Sequence, residues 1–575
     1  MKRKIKRIIA LALSVLMMLS LAACQGKETE EKSVGDAASS EVDSKMDVED
    51  VTELSWYVLD NSGDASSAPW FFDYINEKFG VKVEICNNAG EDVMPAYLAS
   101  GELPDIVLFG DKEYVKAAAD GGMLVNFDDY KDLMPNIFGN EDLAAGLDFM
   151  RNDMNGQYAI PYYVGPAKTL ESDPVIRWDV YKDQGYPEVT DYDQLLEVLK
   201  QMVDAYPETK EGLTTYGLGL FGDWDGQYLR NSAFYYINAS GHSIDFLGGL
   251  AEVIADGSSE PVSILDDNSS YKASLDWLFK ANQMGLLDPE SVSMKYEDYD
   301  AKASAGQYML LPFGWWSYGD AYAEDFEGYK SLFVKDAPVM LQADYVTGGG
   351  YYYGISSSCK NIEKAIKVLD WLYSNEGNLM YYRGPEGVLW EMKDGKAVYT
   401  ETLLDAWKDG TYNTTPFNGG GTLQDLYMVT GVGALTGFAE DPATGQAYDL
   451  LLVDQLKLQE IGDSNMDKDW KAHYGEYAST YDLRVDKGNF IQMDIALKFV
   501  PVASDDIITL TGQIGAIVKE NSWKMVFAKD QAEFDALWAE TQDDAEALGI
   551  EQVIEDAKSR YAEAVKIATE AGMYE

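Results

Sequence analysis

The fold is predicted by residues 54–109, where three short apolar runs alternate with two amphipathic segments. The runs are LSWYVL (54–59), VKVEI (81–85) and DIVLF (105–109). Each is rich in the residue types that favour strands. Residues 69–79 and 92–100 are predicted helices; the first has Pro69 at its start and Gly80 at its end. The order β-α-β-α-β predicts parallel strands with right-handed crossovers, and therefore an α/β fold.

In such sheets, ligands bind beyond the carboxyl ends of the strands. The first predicted strand is followed by a loop that contains Asp60 and Asn61, and the third by Gly110 and Asp111. We therefore expect a binding site near these two loops, and Asp60 and Asn61 are candidate ligand-binding residues.

Aromatic residues recur in the same kind of position further along the chain. They follow predicted strands or runs of glycine, and the candidates are Asp223, Trp224, Trp315, Trp316, Tyr351 and Tyr352. Aromatic faces pack against the C–H face of a pyranose, while carboxylates and amides bind its hydroxyls. The pattern favours a carbohydrate ligand. Large aromatic residues also fill hydrophobic cores, and this alternative stays open for each of them.

The N-terminus predicts export and lipidation. A cationic segment precedes sixteen uncharged, mostly apolar residues (8–23), which is too short for a membrane-spanning helix and indicates a signal peptide over residues 1–23. It ends in LAAC (21–24), which resembles the bacterial lipobox, so Cys24 is predicted to carry a diacylglycerol. Residues 24–50 are predicted to be a flexible linker. The protein is expected on the outer face of the cytoplasmic membrane of a Gram-positive envelope, anchored by its lipid.

Composition excludes several functions. The net charge of -53 argues against binding to nucleic acid or to an anionic lipid surface, because both would repel the chain. It also argues against uronic-acid polymers as ligands unless Lys or Arg side chains are concentrated at the site. About 525 residues after the tether are too many for one core, which predicts two lobes. Cys86 and Cys359 could pair in an oxidising compartment, but the sequence favours two buried free thiols.

Enzymatic chemistry has little support in the sequence. The chain has two histidines, His242 and His473, in no metal-binding spacing, and it lacks a nucleophile elbow and a P-loop. No cofactor and no metal are expected. A glycosidase remains the main alternative, because it needs only two carboxylates and the chain has 98 acids. An adhesin or envelope-stabilising protein is a third hypothesis.

Several segments resemble bacterial extracellular solute-binding proteins of family 1. They are SGELPDIV (100–107), QYAIP (157–161), IRWD (176–179) and RGPEG (383–387). The resemblance implies a two-lobed, type II periplasmic-binding-protein-like fold with the ligand cleft between the lobes and extra C-terminal helices. It also implies a monomeric receptor that closes on an oligosaccharide and delivers it to the permease subunits of an ABC transporter.

The same resemblance suggests boundaries and residue roles. Lobe 1 is expected to comprise residues 52–165 with about 345–400, and lobe 2 residues 166–344 with about 401–575, with crossings near 162–168 and 347–350. Arg177 belongs to a family motif and either binds ligand hydroxyls or braces the hinge through a carboxylate. Residues 204–218 replace a calcium loop of relatives but lack most of its oxygen ligands, so no calcium is expected there.

Overall fold

The computed structural model describes residues 51–59, 63–86, 93–170, 172–314 and 318–574. Its strands, in chain order, are β1 (Thr52–Tyr57), β2 (Val81–Cys86), β3 (Ile106–Phe109), β4 (Ile160–Tyr162), β5 (Val175–Arg177), β6 (His242–Ser243), β7 (Ala251–Ile254), β8 (Val262–Ser263), β9 (Leu310–Leu311), β10 (Gly319–Asp320), β11 (Glu327–Ser331), β12 (Val339–Leu341), β13 (Tyr351–Ile355), β14 (Trp390–Lys393), β15 (Lys396–Tyr399), β16 (Glu440–Asp441), β17 (Gln446–Ala447) and β18 (Phe490–Gln492).

The helices alternate with these strands and dominate the C-terminal part. They are α1 (Pro69–Phe79), α2 (Met94–Ser100), α3 (Lys112–Asp120), α4 (Pro135–Phe138), α5 (Glu141–Met154), α6 (Trp178–Asp183), α7 (Tyr192–Ala205), α8 (Ser270–Gln283), α9 (Tyr296–Ser304), α10 (Ile362–Leu372), α11 (Asn375–Arg383), α12 (Glu401–Lys408), α13 (Leu423–Thr430), α14 (Gln455–Gly462), α15 (Asn465–Tyr474), α16 (Thr480–Lys487), α17 (Asp505–Val526), α18 (Gln531–Leu548) and α19 (Ile550–Glu570).

The first sheet has the strand order β2-β1-β3-β13-β4. Strand β1 pairs in parallel with β2 and β3, which confirms the predicted β-α-β-α-β unit. Strand β13 joins later and runs antiparallel to both β3 and β4. All four residues of β3 are buried because helices cover both faces of the sheet, so this strand is continuously apolar rather than alternating.

Helix α1 shows how local sequence sets the first crossover. Pro69 stands at its first position, where no N–H is needed, and Gly80 ends it in the left-handed conformation (φ 61°), donating its N–H to the Asn76 carbonyl. Between these signals Phe71 and Ile75 are completely buried beneath the sheet.

The second sheet has the order β10-β11-β5-β9, with β5 antiparallel to both neighbours. Parallel bridges from Tyr216 to Tyr308 and from Leu218 to Leu287 extend it. Ile176 and Leu310 join a large core with helices α7 and α8 and with α17–α19. Val175, Leu311 and Tyr329 belong to a smaller, separate core. The molecule is thus mixed α/β with two sheets, and the C-terminal helices predicted from sequence are present as α18 and α19.

Two neighbouring chain segments connect the regions around the sheets. Residues 163–170 and 341–350 run antiparallel, with bridges between Gly165 and Tyr345 and between Leu170 and Leu341. Tyr163 has a positive φ of 63°, which is unusual for a residue with a side chain. Its ring packs on that of Tyr345, with centroids 5.3 Å apart. At Gly349 a Cβ would lie 2.7 Å from the Tyr163 ring, so only glycine fits there. This packing holds the strained residue in place.

The region after residue 401 differs from the expected division. Its apolar side chains up to Leu458 belong to the core of the first sheet and not to lobe 2; they are Leu403, Leu404, Phe417, Leu426, Val429, Ala434, Leu435, Tyr448, Leu450, Val453 and Leu458. Met466 is the first to join the other core. Packing against α1 and α11 decides this placement. The chain therefore crosses a third time between residues 461 and 466.

The two cysteines of the described residues are not bonded to each other. Cys86 and Cys359 are free thiols, as favoured by the sequence, but only Cys359 is buried and Cys86 is half-buried. No helix of the described ranges is long and apolar enough to cross a membrane.

Candidate ligand-binding cleft

A cavity of about 550 Å³ opens at the carboxyl end of β3. The first sheet contributes residues 110–113 at the start of α3, and residues 347–350 and Tyr352 at the end of the second crossing segment. The opposite wall is formed by residues of the segments 226–230, 245–249 and 497–503, together with Arg560 of α19. Gly110 and Asp111, which the sequence predicts to flank a site, both line it. Parts of the chain far apart in sequence thus meet at the expected edge of the sheet.

Among the candidate aromatic residues that the structure describes, Tyr352 lies in this cavity wall. Successive side chains of a strand point to opposite faces. Tyr352 therefore faces the cavity side of the sheet, whereas Tyr351 and Tyr353 pack on the other face with the core of α1 and α10. The structure separates two neighbouring candidates in this way, and Tyr351 does not line the cavity.

Trp224 lies in an aromatic cluster beside the cavity. Its ring stacks on Tyr296 (4.7 Å, 24°) and meets Phe221 edge-on at 4.9 Å. Asp223 is exposed, and its carboxylate accepts the Tyr296 backbone N–H at 2.7 Å. Neither residue lines the cavity, although the same loop enters the cavity wall at Gly226. Trp224 remains half-buried, with part of its ring exposed.

The loop from Trp224 to Arg230 is anchored by a buried carboxylate. Asp225 accepts the Trp523 indole N–H at 2.7 Å and the Arg230 backbone N–H at 2.8 Å. Burial raises the pKa of Asp225 to about 6, despite these hydrogen bonds. The loop is therefore attached to helix α17, and its position depends on the C-terminal helices.

The structure corrects the inclusion of Arg177 among the ligand-binding residues. Its guanidinium bonds to both carboxylate oxygens of Asp179 (3.0 and 2.7 Å), to the Gly306 carbonyl (2.8 Å) and to Glu327 (3.0 Å). Burial alone would lower the pKa of Arg177, but the hydrogen bonds and charge of Asp179 raise it. Arg177 does not line the cavity; it braces the second sheet.

Five further candidate residues lie outside the described residues: Cys24, Asp60, Asn61, Trp315 and Trp316. The 204–218 loop is described, and protein donors already bond to its carbonyls at Leu213 (2.7 Å) and Thr214 (2.9 Å). Within the described ranges, no group of three or more His, Cys, Asp or Glu could hold a metal ion. The absence of calcium stays a prediction.

Sequence reasoning missed two tyrosines next to the first sheet, Tyr163 and Tyr427. Burial, together with the nearby Tyr427 and Tyr351 hydroxyls, raises the pKa of Tyr163 to about 12. Tyr427 lies on α13 and is 56% exposed, an unusually open position for a ring. The tyrosines provide aromatic surface on the first-sheet side. No motif marks Tyr427, so only its exposure identifies it.

Sequence reasoning also missed three cations of the cavity wall. Lys112 donates from its ammonium to the Val500 carbonyl at 2.5 Å. Arg560 of α19 bonds to Asp556 at 2.6 Å and to the Pro501 carbonyl at 3.2 Å. Lys498 donates to Gln342 Oε1 at 2.9 Å. Residues 500–501 thus bring a cation of α3 and one of α19 to the same end of the cavity.

The comparisons with known proteins agree with this architecture. The sequence profile described as "Bacterial extracellular solute-binding protein" matches residues 63–379, more than half of the chain. No curated protein gives a significant match.

Many solved structures share the fold. One is the Streptococcus pneumoniae substrate-binding protein FusA in complex with kestose (16% identity, 89% of this chain and 99% of that chain covered, TM-score 0.59). Another is a Bifidobacterium longum infantis HMO-binding solute-binding protein (15% identity, 89% of this chain and 98% of that chain covered, TM-score 0.56). A third is the S. pneumoniae N-glycan transport protein NgtS in complex with Man1GlcNAc (16% identity, 90% of this chain and 100% of that chain covered, TM-score 0.54). At these identities the likeness establishes the fold, and with the profile match it shows that the chain belongs to the family of bacterial extracellular solute-binding proteins.

Proposed function

We propose that the protein captures an oligosaccharide outside the cell and delivers it to the permease subunits of an ABC transporter. The observation that carries the proposal is the cavity at the carboxyl end of β3, with walls from both sides of the crossing segments and with the rings of Phe246, Tyr345 and Tyr352 in its lining. Such rings suit pyranose faces. Support comes from structural neighbours whose names state that they bind kestose, HMO or N-glycan fragments.

Binding works through closure in this proposal. The segments 163–170 and 341–350 act as hinges, and the ligand contacts both walls only when the lobes are closed. A ligand shifts this equilibrium by the difference in its contacts with the two states. The protein acts as a monomer and holds its ligand without breaking a bond. The family's role as binding proteins supports the last point, and product analysis tests it.

Binding is tested by calorimetric titration with a panel of neutral and acidic oligosaccharides. We expect saturable binding without release of new reducing ends. Phe246→Ala should lower the affinity about three- to tenfold, the loss expected for one stacked ring, because this half-buried ring lines the cavity. Tyr206→Ala is the matched control, because this exposed ring of the same lobe lies beside Asp183, away from the cavity. Failure to bind any sugar, or cleavage of a bound one, would contradict the proposal.

We further infer that a diacylated Cys24 anchors the protein to the outer face of the cytoplasmic membrane. Support comes from the signal-like residues 1–23 and from LAAC at 21–24. Cys24→Ala should remove palmitate labelling. The variant should then be released into the medium or accumulate as the uncleaved precursor. Cys359→Ala serves as the control. Unchanged labelling of the Cys24→Ala protein would exclude this anchor.

A further inference from the structure

Tyr427 is an exposed ring on the first-sheet side of the molecule, and it does not line the cavity. It lies on α13, whose Leu426 and Val429 are buried in the core of the first sheet. Tyr427 and Met428 therefore face outward, with 56% and 45% of each residue exposed. Single exposed apolar side chains are common on proteins, so exposure alone does not mark a site.

The surroundings of Tyr427 distinguish it from an ordinary surface ring. Burial raises the pKa of its hydroxyl although more than half of the residue is exposed. Water reaches the ring while protein surrounds it, and this combination is typical of a ring in a concave surface. After burial, the Tyr427 hydroxyl is the next cause of the raised pKa of Tyr163, so the two rings are close together.

The first sheet places Tyr427 at the same edge as the cavity. Strands β1, β3 and β4 run in the same direction, because β1 is parallel to β3 and β13 is antiparallel to both β3 and β4. Helix α13 packs beside the turn after β1, where a Cβ added to Gly63 would lie 3.2 Å from Val429. Tyr163 follows β4 directly. The cavity opens between these two points, at the carboxyl end of β3.

The cavity and Tyr427 belong to opposite faces of this sheet. Tyr352 faces the cavity, whereas Tyr351 packs with the core that also contains Val429 of α13. A ligand that reaches both must pass over the sheet edge, a distance on the order of 10 Å, the spacing of packed layers. One sugar ring does not extend that far, so such a ligand consists of several linked sugars.

The backbone that carries Tyr427 is firmly held. The Gly431 N–H donates to the Tyr427 carbonyl at 2.8 Å, and the Val164 N–H of the first crossing segment donates to Ala434 at 3.0 Å. Three tyrosine hydroxyls hold the same stretch by donating to backbone carbonyls: Tyr381 to Gly431 (2.7 Å), Tyr162 to Val432 (2.6 Å) and Tyr382 to Leu435 (2.6 Å). Little backbone ordering is therefore needed when a ligand stacks on the ring.

We propose that Tyr427 forms a second sugar subsite, where its ring stacks on a later residue of a linear oligosaccharide whose first residues occupy the cavity. This inference rests on the proposed carbohydrate-binding function and specifies its substrate class, a sugar chain too long for the cavity alone. A tyrosine offers a flat apolar face and a hydroxyl at its tip, which suit the C–H face and the hydroxyls of a pyranose.

The test measures affinity as a function of sugar chain length. The probes are the malto-, cello-, xylo- and manno-oligosaccharide series, from disaccharide to hexasaccharide, titrated calorimetrically into the full-length protein. In a series that binds, we expect affinity to rise with length. Tyr427→Ala should weaken the hexasaccharide about three- to tenfold and leave the disaccharide unchanged. Phe246→Ala, which removes a ring from the cavity lining, should weaken all lengths alike.

Two further variants separate stacking from other effects of substitution. Tyr427→Phe keeps the ring and should retain the gain in affinity with length. Met428→Ala removes the neighbouring exposed side chain, which a rotation of about 100° around the helix turns away from Tyr427. This variant should bind every sugar like the unsubstituted protein.

Hydroxyl-radical footprinting gives a second measurement that needs no substitution. The saturating hexasaccharide should protect the Tyr427 ring from oxidation more than the saturating disaccharide does. The exposed ring of Tyr206 should be oxidised equally in both samples.

The outcomes separate the two proposals. If no sugar of any length binds, both fail. Equal affinity at every length, or a loss in Tyr427→Ala that is the same for disaccharide and hexasaccharide, would overturn the second subsite and leave the carbohydrate-binding function standing. Unchanged sugar affinity of Tyr427→Ala combined with reduced uptake by cells would indicate contact with the permease and would also overturn the subsite.

Discussion

Replacing Arg177 by alanine should lower the free energy of unfolding by about 3–5 kcal/mol, the usual loss when one partner of a buried ion pair is removed. The substitution removes the bidentate interaction of the Asp179 carboxylate and the side-chain donor to the Gly306 carbonyl. It also removes one cation from Glu327, which keeps Lys210. Urea unfolding followed by circular dichroism measures the change.

Arg151→Ala is the matched control for this substitution. Arg151 also bonds to two carboxylates, at 3.1 Å from Asp128 and 2.7 Å from Asp148, but its side chain is 27% exposed against 7% for Arg177. Solvent screening makes such pairs contribute about 1 kcal/mol or less. Folded Arg177→Ala protein should bind its sugar with unchanged affinity. Weakened binding with normal stability would restore Arg177 as a ligand-binding residue.

Gly146→Ala should also lower the free energy of unfolding, by about 1–3 kcal/mol, because there is no space for the added methyl group between the helix and the segment packed against it. Gly146 lies in the middle of α5, where that methyl would overlap the Val346 carbonyl oxygen and stand 3.2 Å from Thr347 Cα. The helix and the second crossing segment would have to separate. The Thr347 hydroxyl, which donates to the Lys498 carbonyl at 2.8 Å, would move with that segment.

Gly512→Ala is the opposite control, since Gly512 is also inside a helix, α17, but has no atom within 4 Å of the added methyl. There alanine should stabilise the protein by about 0.5–1 kcal/mol through its higher helix propensity. Thermal unfolding of the two variants should therefore shift in opposite directions. A stabilising Gly146→Ala substitution would show that α5 does not pack closely on the crossing segment.

Local pattern was sufficient for several elements. The helix predicted at residues 69–79 is found at Pro69–Phe79, and the opening strands pair in parallel as predicted. Apolar spacing and helix-ending residues act over a few positions, so they can be read directly along the chain. These local signals do not determine which core a short helix joins. For this reason the sequence does not predict that residues 403–458 pack with the first sheet.

The sequence by itself determined the α/β class, the family and the edge of the sheet where a site forms, because these follow from local periodicity and short motifs. Only the tertiary structure decided that Arg177 is a brace, that Tyr352 and not Tyr351 faces the cavity, and that Lys112, Lys498 and Arg560 share one wall. Electrostatic interaction depends on distance in space. Those three cations are separated by long stretches of chain, and a net charge of -53 does not record where they meet.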